Sequence, residues 1–381
     1  MKYAGKPRVL VVHNRDFEHS QQDPENGSRA DIGGTANDVV SALARAGLVV
    51  ESLGIDEDLM GAMSAIGAFA PDVVFNLCES LSGDARFEPL LPMLLERAGL
   101  AYTGSPPLTL GLALHKHKAK GVLRAAGVPV PEAVCLSTPD VTSVALPFPL
   151  IVKPSREDAS VGITSKSVVH DRVELGRQVA GVIARYRQPA LVEQYIEGRE
   201  IYVSLLARAD GPPEALPLYE IDFSALPADR PRIVSFEGKW VESSVEYAGT
   251  KPVACHLPPD VEARVVAAAR GAFEALELRD YGRVDIRLAA DGTPYVIDVN
   301  PNCDLSHEAG GFARAARAAN LTYDDVVLRI LELALSRRHD ADTIPLAARS
   351  RRHRRPDRGG SVPAGGNIVR PRAAGGSARS G

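Results

Sequence analysis

Charged and apolar side chains alternate in a segment near residue 290. The carboxylates of this segment are spaced so that they could bind a cation. Residues 283–288 alternate strictly, which predicts a half-buried strand, and residues 295–300 predict a second strand. The Asp-Gly pair at residues 291–292 is a favoured two-residue hairpin turn. That turn would place Asp285 directly opposite Asp298, so two carboxylates would face each other across the hairpin.

Two facing carboxylates need a compensating charge. Their Cβ atoms would lie about 4.5–5.5 Å apart, so the negative charges would repel each other. The same register pairs Arg283 with Asn300, whose amide oxygen would complete a set of hard ligands suited to Mg²⁺. The hairpin alone leaves one alternative open, a solvent-facing strand on which Arg283 and Arg287 neutralise the carboxylates.

A small polar loop follows a lysine in the middle of the chain. Residues 150–153 predict a short buried strand that ends at Lys153, and residues 155–162 are small, polar and glycine-containing. A lysine there can reach a phosphate as a point charge, and the loop can offer backbone N–H groups to phosphate oxygens. A surface loop beside a snorkelling lysine would look the same.

Two further predicted strands meet at a glycine turn and carry groups that could contact a nucleoside. Glu193 and Glu200 could accept hydrogen bonds from an amino group and from ribose hydroxyls. Tyr195 and Ile196 could flank a base. Ordinary hairpin residues would look much the same.

These segments occur together and in order, and the combination resembles the ATP-grasp superfamily, within it the D-alanine–D-alanine ligase branch. The resemblance covers roughly residues 72–335. The matching stretches are residues 98–104 with Lys116, 149–157 with 160–162, 192–200, and 282–287 with 296–300.

The resemblance implies an enzyme that uses ATP and one or two Mg²⁺ ions, with Mn²⁺ as a substitute, to form an amide through an acyl phosphate. ADP and phosphate would be the other products. The implied sites are Lys116, Lys153 and Ser160 at the phosphates, Glu193, Tyr195 and Ile196 at adenine, Glu200 at ribose, Asp285, Asp298 and Asn300 at the metal, and Arg283 and Lys239 at the reacting phosphoryl group.

The chain departs from this branch where the joined substrates would bind. A glycine-rich turn with a glutamate is replaced by a long polar insertion that contains Glu18. Ala159 stands where the branch has a serine, and Trp240 where it has the tyrosine that pairs with it. D-alanine itself is therefore an open assignment. Candidates for substrate contact, with a structural loop as the alternative, are Asp304, Ser306 and His307.

The strands and helices predicted around these residues indicate an α/β fold. Strands alternating with helices indicate a Rossmann-like open sheet in an N-terminal domain, residues 1–107. A two-lobed ATP-grasp domain would follow, with lobes at 108–198 and 199–336, and a disordered basic tail at 337–381. Smaller predictions are a strand at residues 233–236 and a last helix at 323–335.

Composition limits the other classes of function. The 381-residue chain is 45% hydrophobic and shows neither a membrane span nor a signal peptide, so we expect a cytoplasmic protein. Its four scattered cysteines do not predict a zinc site. Residues 337–381 hold eleven Arg and three Asp, which leaves an acidic body poorly suited to nucleic acid.

We therefore expect small-molecule carboxylate and amine substrates, no nucleic-acid or membrane partner, and a chain compatible with a homodimer. Two alternatives stay open from the sequence. One is a ligase that joins other amino acids or peptides, and the other is an ATP-binding regulatory or scaffold protein without turnover.

Overall fold

A computed structural model gives the fold, and it describes residues 6–15 and 32–342. The described strands are β1 (Arg8–Asn14), β2 (Val49–Ile55), β3 (Val73–Asn76), β4 (Ala101–Tyr102), β5 (Ala133–Leu136), β6 (Leu150–Pro154), β7 (Val168–Val169), β8 (Ala190–Gln194), β9 (Arg199–Leu206), β10 (Glu214–Ala215), β11 (Tyr219–Asp222), β12 (Lys251–Ala254), β13 (Tyr281–Leu288) and β14 (Pro294–Asn300). The described α-helices are α1 (Ile32–Arg45), α2 (Leu59–Phe69), α3 (Leu90–Ala98), α4 (Pro107–Leu114), α5 (Lys116–Ala125), α6 (Arg172–Tyr186), α7 (Phe236–Trp240), α8 (Val245–Ala248), α9 (Pro259–Ala275), α10 (Gly311–Ala318) and α11 (Tyr323–Asp342). None of these helices is long and apolar enough to cross a membrane.

The first sheet is parallel, with strand order β2-β1-β3-β4, as the alternation of strands and helices predicts. Its central strand β1 has apolar side chains on both faces, and each face is covered. Val12 and Val74 pack with residues of α2 and α3. Val11 and Phe75 pack on the other side with α1 and with the C-terminal helices α10 and α11.

The last helix is longer than the sequence predicts. It continues past residue 335 to Asp342, so residues 337–342, predicted as the start of the basic tail, are helical. Arg337 belongs to the fold because its Nη2 donates to the buried Asp280 carboxylate and to the Tyr102 carbonyl oxygen, each at 2.9 Å. The rest of the predicted tail, residues 343–381, lies outside the described residues.

Two more sheets carry the remaining strands. One is antiparallel with order β5-β8-β6-β7, and α6 covers one face with Leu175 and Val179. That helix begins at Asp171, whose side chain accepts from the N–H groups of Val173 and Glu174. The other sheet has order β12-β11-β9-β13-β14, with β10 paired to β9, and it packs on α5 and α9.

A β-bulge sets the pairing in the hairpin of β13 and β14. The loop is one residue longer than the predicted two-residue turn, because Ala289 N–H donates to the Thr293 carbonyl oxygen and Gly292 adopts a φ of +80°. The register then shifts by one between Asp285 and Ile286. The two deviations cancel, so the predicted pairing of Asp285 with Asp298 is confirmed.

Two other local predictions are wrong. Residues 233–236 do not form a strand, because Ser235 accepts from Gly238 N–H and thereby caps helix α7. Strand β13 is not half-buried: it lies between β9 and β14, and its charged residues Asp285 and Arg287 are 8% and 3% exposed. The charged face of this strand therefore lines a cavity rather than an open, solvent-facing surface.

Candidate active site

A cavity of about 460 Å³ lies over the charged face of β13, and we call it the nucleotide cavity. It collects all the predicted nucleotide, metal and phosphoryl residues: Lys116, Lys153, Ser160, Glu193, Tyr195, Ile196, Glu200, Lys239, Arg283, Asp285, Asp298 and Asn300. A larger surface groove of about 710 Å³ shares only Tyr195 with that set. The sequence signals therefore converge on the nucleotide cavity.

Lys116, on helix α5, contacts both strand β14 and the polar loop in this cavity. Its Nζ donates to both oxygens of Asp298, at 2.8 Å each, and to Asp158 of the polar loop at 3.0 Å. Burial opposes ionisation of both groups. Nevertheless, Asp158 and Asp298 raise the pKa of Lys116, and Lys116 and Lys153 lower the pKa of Asp298. The pair is therefore charged.

Arg283 and Asp285 form a second buried pair. Nε and Nη2 of Arg283 donate to the two carboxylate oxygens at 2.7 and 2.9 Å, a bidentate arrangement. The guanidinium also lies 4.7 Å from the ring centroid of Tyr202. The sequence left open that arginines neutralise the carboxylates on a solvent-facing strand. Arg283 does neutralise Asp285, but both side chains line the cavity rather than a solvent-facing strand.

The oxygen groups of this hairpin suit a metal ion that is shared with phosphates. Asp285 and Asp298 are cross-strand neighbours, and Asn300 Nδ2 lies 3.3 Å from Asp285 Oδ2. Within the described residues, no group of three or more His, Cys, Asp or Glu side chains is placed to hold a metal unaided. Mg²⁺ commonly takes one or two protein carboxylates and completes its shell with phosphate and water oxygens, so this donor set fits that ion.

Lys120 is a site residue that the sequence reasoning missed. It lies one helical turn after Lys116 on α5, and this i, i+4 spacing was the available signal. Its Nζ donates to the Ile297 carbonyl oxygen at 3.0 Å and forms a 3.2 Å ion pair with Glu193. Lys153 holds the other Glu193 oxygen at 2.9 Å, so a buried carboxylate is shared by two lysines.

Burial of Lys120 predicts a pH-dependent stability. Burial, which outweighs Glu193, lowers the pKa of Lys120 from 10.5 to about 8. Between these values the unfolded chain binds a proton that the folded chain has released, so folding becomes more favourable as pH rises through this window. We expect the free energy of unfolding to gain about 1–3 kcal/mol from pH 8 to 10.5 relative to Lys120→Met.

Chemical denaturation at both pH values measures this difference. Lys118→Met, an exposed lysine on the same helix, is the matched control and should keep the wild-type dependence. Parallel pH dependence in wild type and Lys120→Met would contradict the assignment.

Glu200 is another buried carboxylate that lines the nucleotide cavity. It is 6% exposed, accepts from Tyr202 Oη at 3.2 Å and lies 3.4 Å from Arg287 Nε. Burial raises the pKa of Glu200, and Asp285 adds to this effect while Arg287 opposes it. Arg287 also donates to the Gly198 carbonyl oxygen at 3.0 Å, which fixes the side chain that faces Glu200.

The polar loop is held over the cavity at several points. Besides the contact of Asp158 with Lys116, Ser160 Oγ donates to the Val234 carbonyl oxygen at 3.0 Å. Trp240 Nε1 donates to the Ala159 carbonyl oxygen at 2.9 Å. Ala159 and Trp240, which replace the paired serine and tyrosine of the branch, are therefore still in contact, but through the Ala159 carbonyl oxygen.

A smaller cavity of about 250 Å³ adjoins the nucleotide cavity, and we call it the side cavity. Lys239, Arg283 and Asp304 line both cavities, and Ser306 lines the side cavity. The structure does not bring His307 to either cavity, because its ring packs against Tyr323 with centroids 4.6 Å apart. Glu18, in the insertion that replaces the glutamate-bearing turn of the branch, lies outside the described residues.

Comparison with known proteins places the chain in a family. A family model described as the D-ala D-ala ligase C-terminus matches residues 122–332. The D-alanine–D-alanine ligase A of Mesorhizobium japonicum is 36% identical over 271 residues, 70% of this chain and 72% of that protein. An uncharacterized protein of Sinorhizobium fredii, y4sG, is 33% identical over 344 residues, 86% of this chain and 96% of its own length.

A solved structure supports the fold independently. The Bacillus anthracis D-alanine–D-alanine ligase complexed with ATP superposes with a TM-score of 0.69 at 24% identity, over 89% of this chain and all of that chain. The expected ATP-grasp α/β fold is thereby confirmed. Because the family model spans more than half of the chain and a 36% identical relative is matched over 72% of its length, the chain belongs to the D-alanine–D-alanine ligase family of ATP-grasp enzymes, which form carbon–nitrogen bonds.

Proposed function

We propose that this protein is a cytoplasmic, ATP- and Mg²⁺-dependent ligase that joins a carboxylate to an amine, with ADP and phosphate as the other products. The observation that carries the proposal is the nucleotide cavity, in which lysines, arginines and carboxylates meet from five separate stretches of the chain, around residues 116, 153–160, 193–200, 239 and 283–300. Assembly as a homodimer stays a prediction.

The chemistry proceeds in two balanced steps. A carboxylate oxygen attacks the γ-phosphorus of ATP, the bond from that phosphorus to the bridging oxygen breaks, and ADP leaves with the electron pair. The nitrogen of a neutral amine then attacks the carbonyl carbon of the acyl phosphate, the carbon–oxygen bond to phosphate breaks, and the amine loses one proton to solvent. Phosphorylation is needed because a free carboxylate is a poor acyl donor at neutral pH.

The side chains supply charge and exclude water. Lys116 and Lys153 would turn their ammonium groups to phosphate oxygens, with Ser160 and the loop closing above them. Arg283 and Lys239, where the two cavities meet, would stabilise charge on the transferring phosphoryl group and the tetrahedral intermediate. Mg²⁺ at Asp285, Asp298 and Asn300 would supply neutralisation of the phosphate charge when bound, and Mn²⁺ has the same preference for oxygen.

Hydroxylamine trapping tests the proposal without knowledge of the natural amine. The protein is incubated with ATP, Mg²⁺, a panel of carboxylates and hydroxylamine, and hydroxamate and ADP are measured. We expect at least one carboxylate to give hydroxamate and ADP in equal amounts. ATP binding without carboxylate-dependent ADP formation across a broad panel would instead favour the regulatory alternative.

The ribose assignment makes a separate prediction. Glu200→Gln keeps the shape of the side chain but weakens its acceptance from ribose hydroxyls, so we expect the KM for ATP to rise about tenfold with kcat nearly unchanged. The wild-type protein should discriminate against 2′-deoxy-ATP or 3′-deoxy-ATP, and the variant should discriminate less. Equal KM values for ATP in the wild-type protein and in Glu200→Gln would show that Glu200 does not bind the ribose.

A further inference from the structure

We propose that Asp304 binds the ammonium group of an amino-acid donor, and that it thereby favours such donors over carboxylates without an amine. This inference rests on the proposed ligase function and names a specificity-determining residue of the same site. Its basis is the set of charged side chains at the place where the nucleotide cavity and the side cavity meet, which we call the junction.

The junction carries charges of both signs. Within the described chain, the charged residues that line both cavities are the cations Lys239 and Arg283 and the carboxylates Glu157, Asp158 and Asp304. A donor whose carboxylate attacks the phosphoryl group would place that carboxylate beside the two cations. The carbon next to the donor carboxylate, and an amine on that carbon, would then also lie within the junction.

Two of the three junction carboxylates are held by other side chains. Asp158 Oδ1 accepts from Lys116 Nζ at 3.0 Å, and Glu157 Oε1 accepts from Gln188 Nε2 at 2.7 Å. No cation pairs with Asp304 in the part of the chain that the structure describes. Asp304 is therefore the junction carboxylate that a ligand cation can reach without displacing a lysine.

The Asp304 carboxylate is held in a fixed orientation by its own turn. Its Oδ1 accepts from Ser306 N–H at 2.7 Å, and its Oδ2 accepts from Ser306 Oγ at 3.0 Å. Ser306 is 6% exposed, and its carbonyl oxygen accepts from Gly310 N–H at 3.1 Å. A Cβ on residue 310 would lie 2.4 Å from that carbonyl oxygen, so this close approach requires glycine. Each carboxylate oxygen of Asp304 keeps a lone pair for a ligand.

The end of this turn lies beside Arg283. A Cβ on Gly311 would be 4.0 Å from Arg283 Nη1, so the segment that carries Asp304 borders the guanidinium group. An amino-acid zwitterion has a carboxylate and an ammonium on one carbon, and the junction offers cations for the first and Asp304 for the second. The ammonium keeps its proton throughout, because the donor nitrogen takes no part in the bond changes. A hydroxy acid or a plain carboxylate would leave Asp304 without an ionic partner.

Matched donors test this inference with hydroxylamine as the acceptor, so that no natural acceptor amine contributes. Alanine, lactate and propionate share one carbon skeleton and differ beside the carboxylate in an ammonium, a hydroxyl or a hydrogen, and both enantiomers of the first two are used. Phenylalanine, phenyllactate and 3-phenylpropionate cover a larger side chain. We expect the best amino acid to exceed its matched hydroxy acid and plain acid at least about tenfold in kcat/KM for hydroxamate formation. Equal or better use of the other acids in every set would overturn the proposal.

Matched variants assign the preference to Asp304. Asp304→Asn should reduce the ratio of amino acid to plain acid about tenfold, since the amide can still accept from Ser306 N–H but carries no charge. Glu308→Gln is the control, because the side chain of Glu308 is 90% exposed outside both cavities and should leave the ratio unchanged. An unchanged ratio in Asp304→Asn would show that Asp304 does not bind the donor ammonium.

A charge-preserving variant covers the case in which Asp304→Asn is inactive with every donor. Asp304→Glu keeps the negative charge, so it should keep a preference of at least about threefold for the amino acid over the plain acid. Loss of the preference in Asp304→Glu, with the plain acid still used, would contradict a role of this charge.

The choice of acceptor keeps the outcomes separate. An effect of Asp304→Asn with other acceptor amines but not with hydroxylamine would assign Asp304 to the acceptor and overturn the inference. Hydroxamate formation without any preference for amino acids would overturn only the inference. Absence of hydroxamate with every carboxylate would overturn the proposed ligase function itself.

Discussion

Replacing Asp298 by alanine is expected to lower kcat at least about 1,000-fold while the fold survives. The variant removes one of two facing carboxylates, so it loses a proposed metal ligand and also relieves a repulsion with Asp285. Lys116 keeps its second partner, because Asp158 lies 3.0 Å from its Nζ. The loss should therefore appear in turnover and in the dependence on Mg²⁺ rather than in stability.

Steady-state kinetics with saturating ATP and a Mg²⁺ titration measure this effect. Asp291→Ala is the matched control, since Asp291 is an exposed carboxylate in the loop of the same hairpin and accepts from Thr293 N–H within that loop. It should keep kcat within about twofold of wild type. Normal kcat and normal Mg²⁺ dependence in Asp298→Ala would mean that the hairpin does not bind the metal.

Replacing Arg283 by glutamine is expected to damage both catalysis and stability. The change removes a cation that lies where the two cavities meet, and loss of one such electrostatic group typically lowers kcat about 10²–10³-fold. It also leaves Asp285, which is 8% exposed, without its bidentate partner. An uncompensated buried charge costs about 3–5 kcal/mol.

A double variant separates the two effects. Asp285→Asn in the Arg283→Gln background removes the orphaned charge, so it should recover most of the lost stability and none of the activity. Arg264→Gln is the control for loss of an arginine, because its pair with Asp260 is exposed and should contribute less than about 1 kcal/mol. A wild-type kcat in Arg283→Gln would show that Arg283 does not stabilise the transferring phosphoryl group.

The hairpin shows how far a sequence pattern can reach. Alternation and the Asp-Gly pair predicted the pairing of Asp285 with Asp298, and the structure has that pairing. It arises from a three-residue loop and a bulge that offset each other, and neither deviation has a signal in the residue types. The bulge also directs the Ile297 carbonyl oxygen to Lys120, which no local pattern could predict.

Other failures follow from contacts between distant segments. The alternation of β13 correctly separated its two faces, but only the neighbouring strands and the polar loop determine that the charged face lines a cavity. Residues 233–236 are apolar enough to predict a strand. However, Ser235 caps a helix that begins at Phe236, so the segment does not continue as a strand.

Isotope transfer tests the central claim most directly, because an acyl phosphate moves one donor oxygen to phosphate. A donor carboxylate labelled with ¹⁸O is incubated with the protein, ATP, Mg²⁺ and an acceptor amine, and the released phosphate is analysed by mass. We predict one ¹⁸O atom in each phosphate formed with product. Product formed with unlabelled phosphate would contradict an acyl-phosphate ligase.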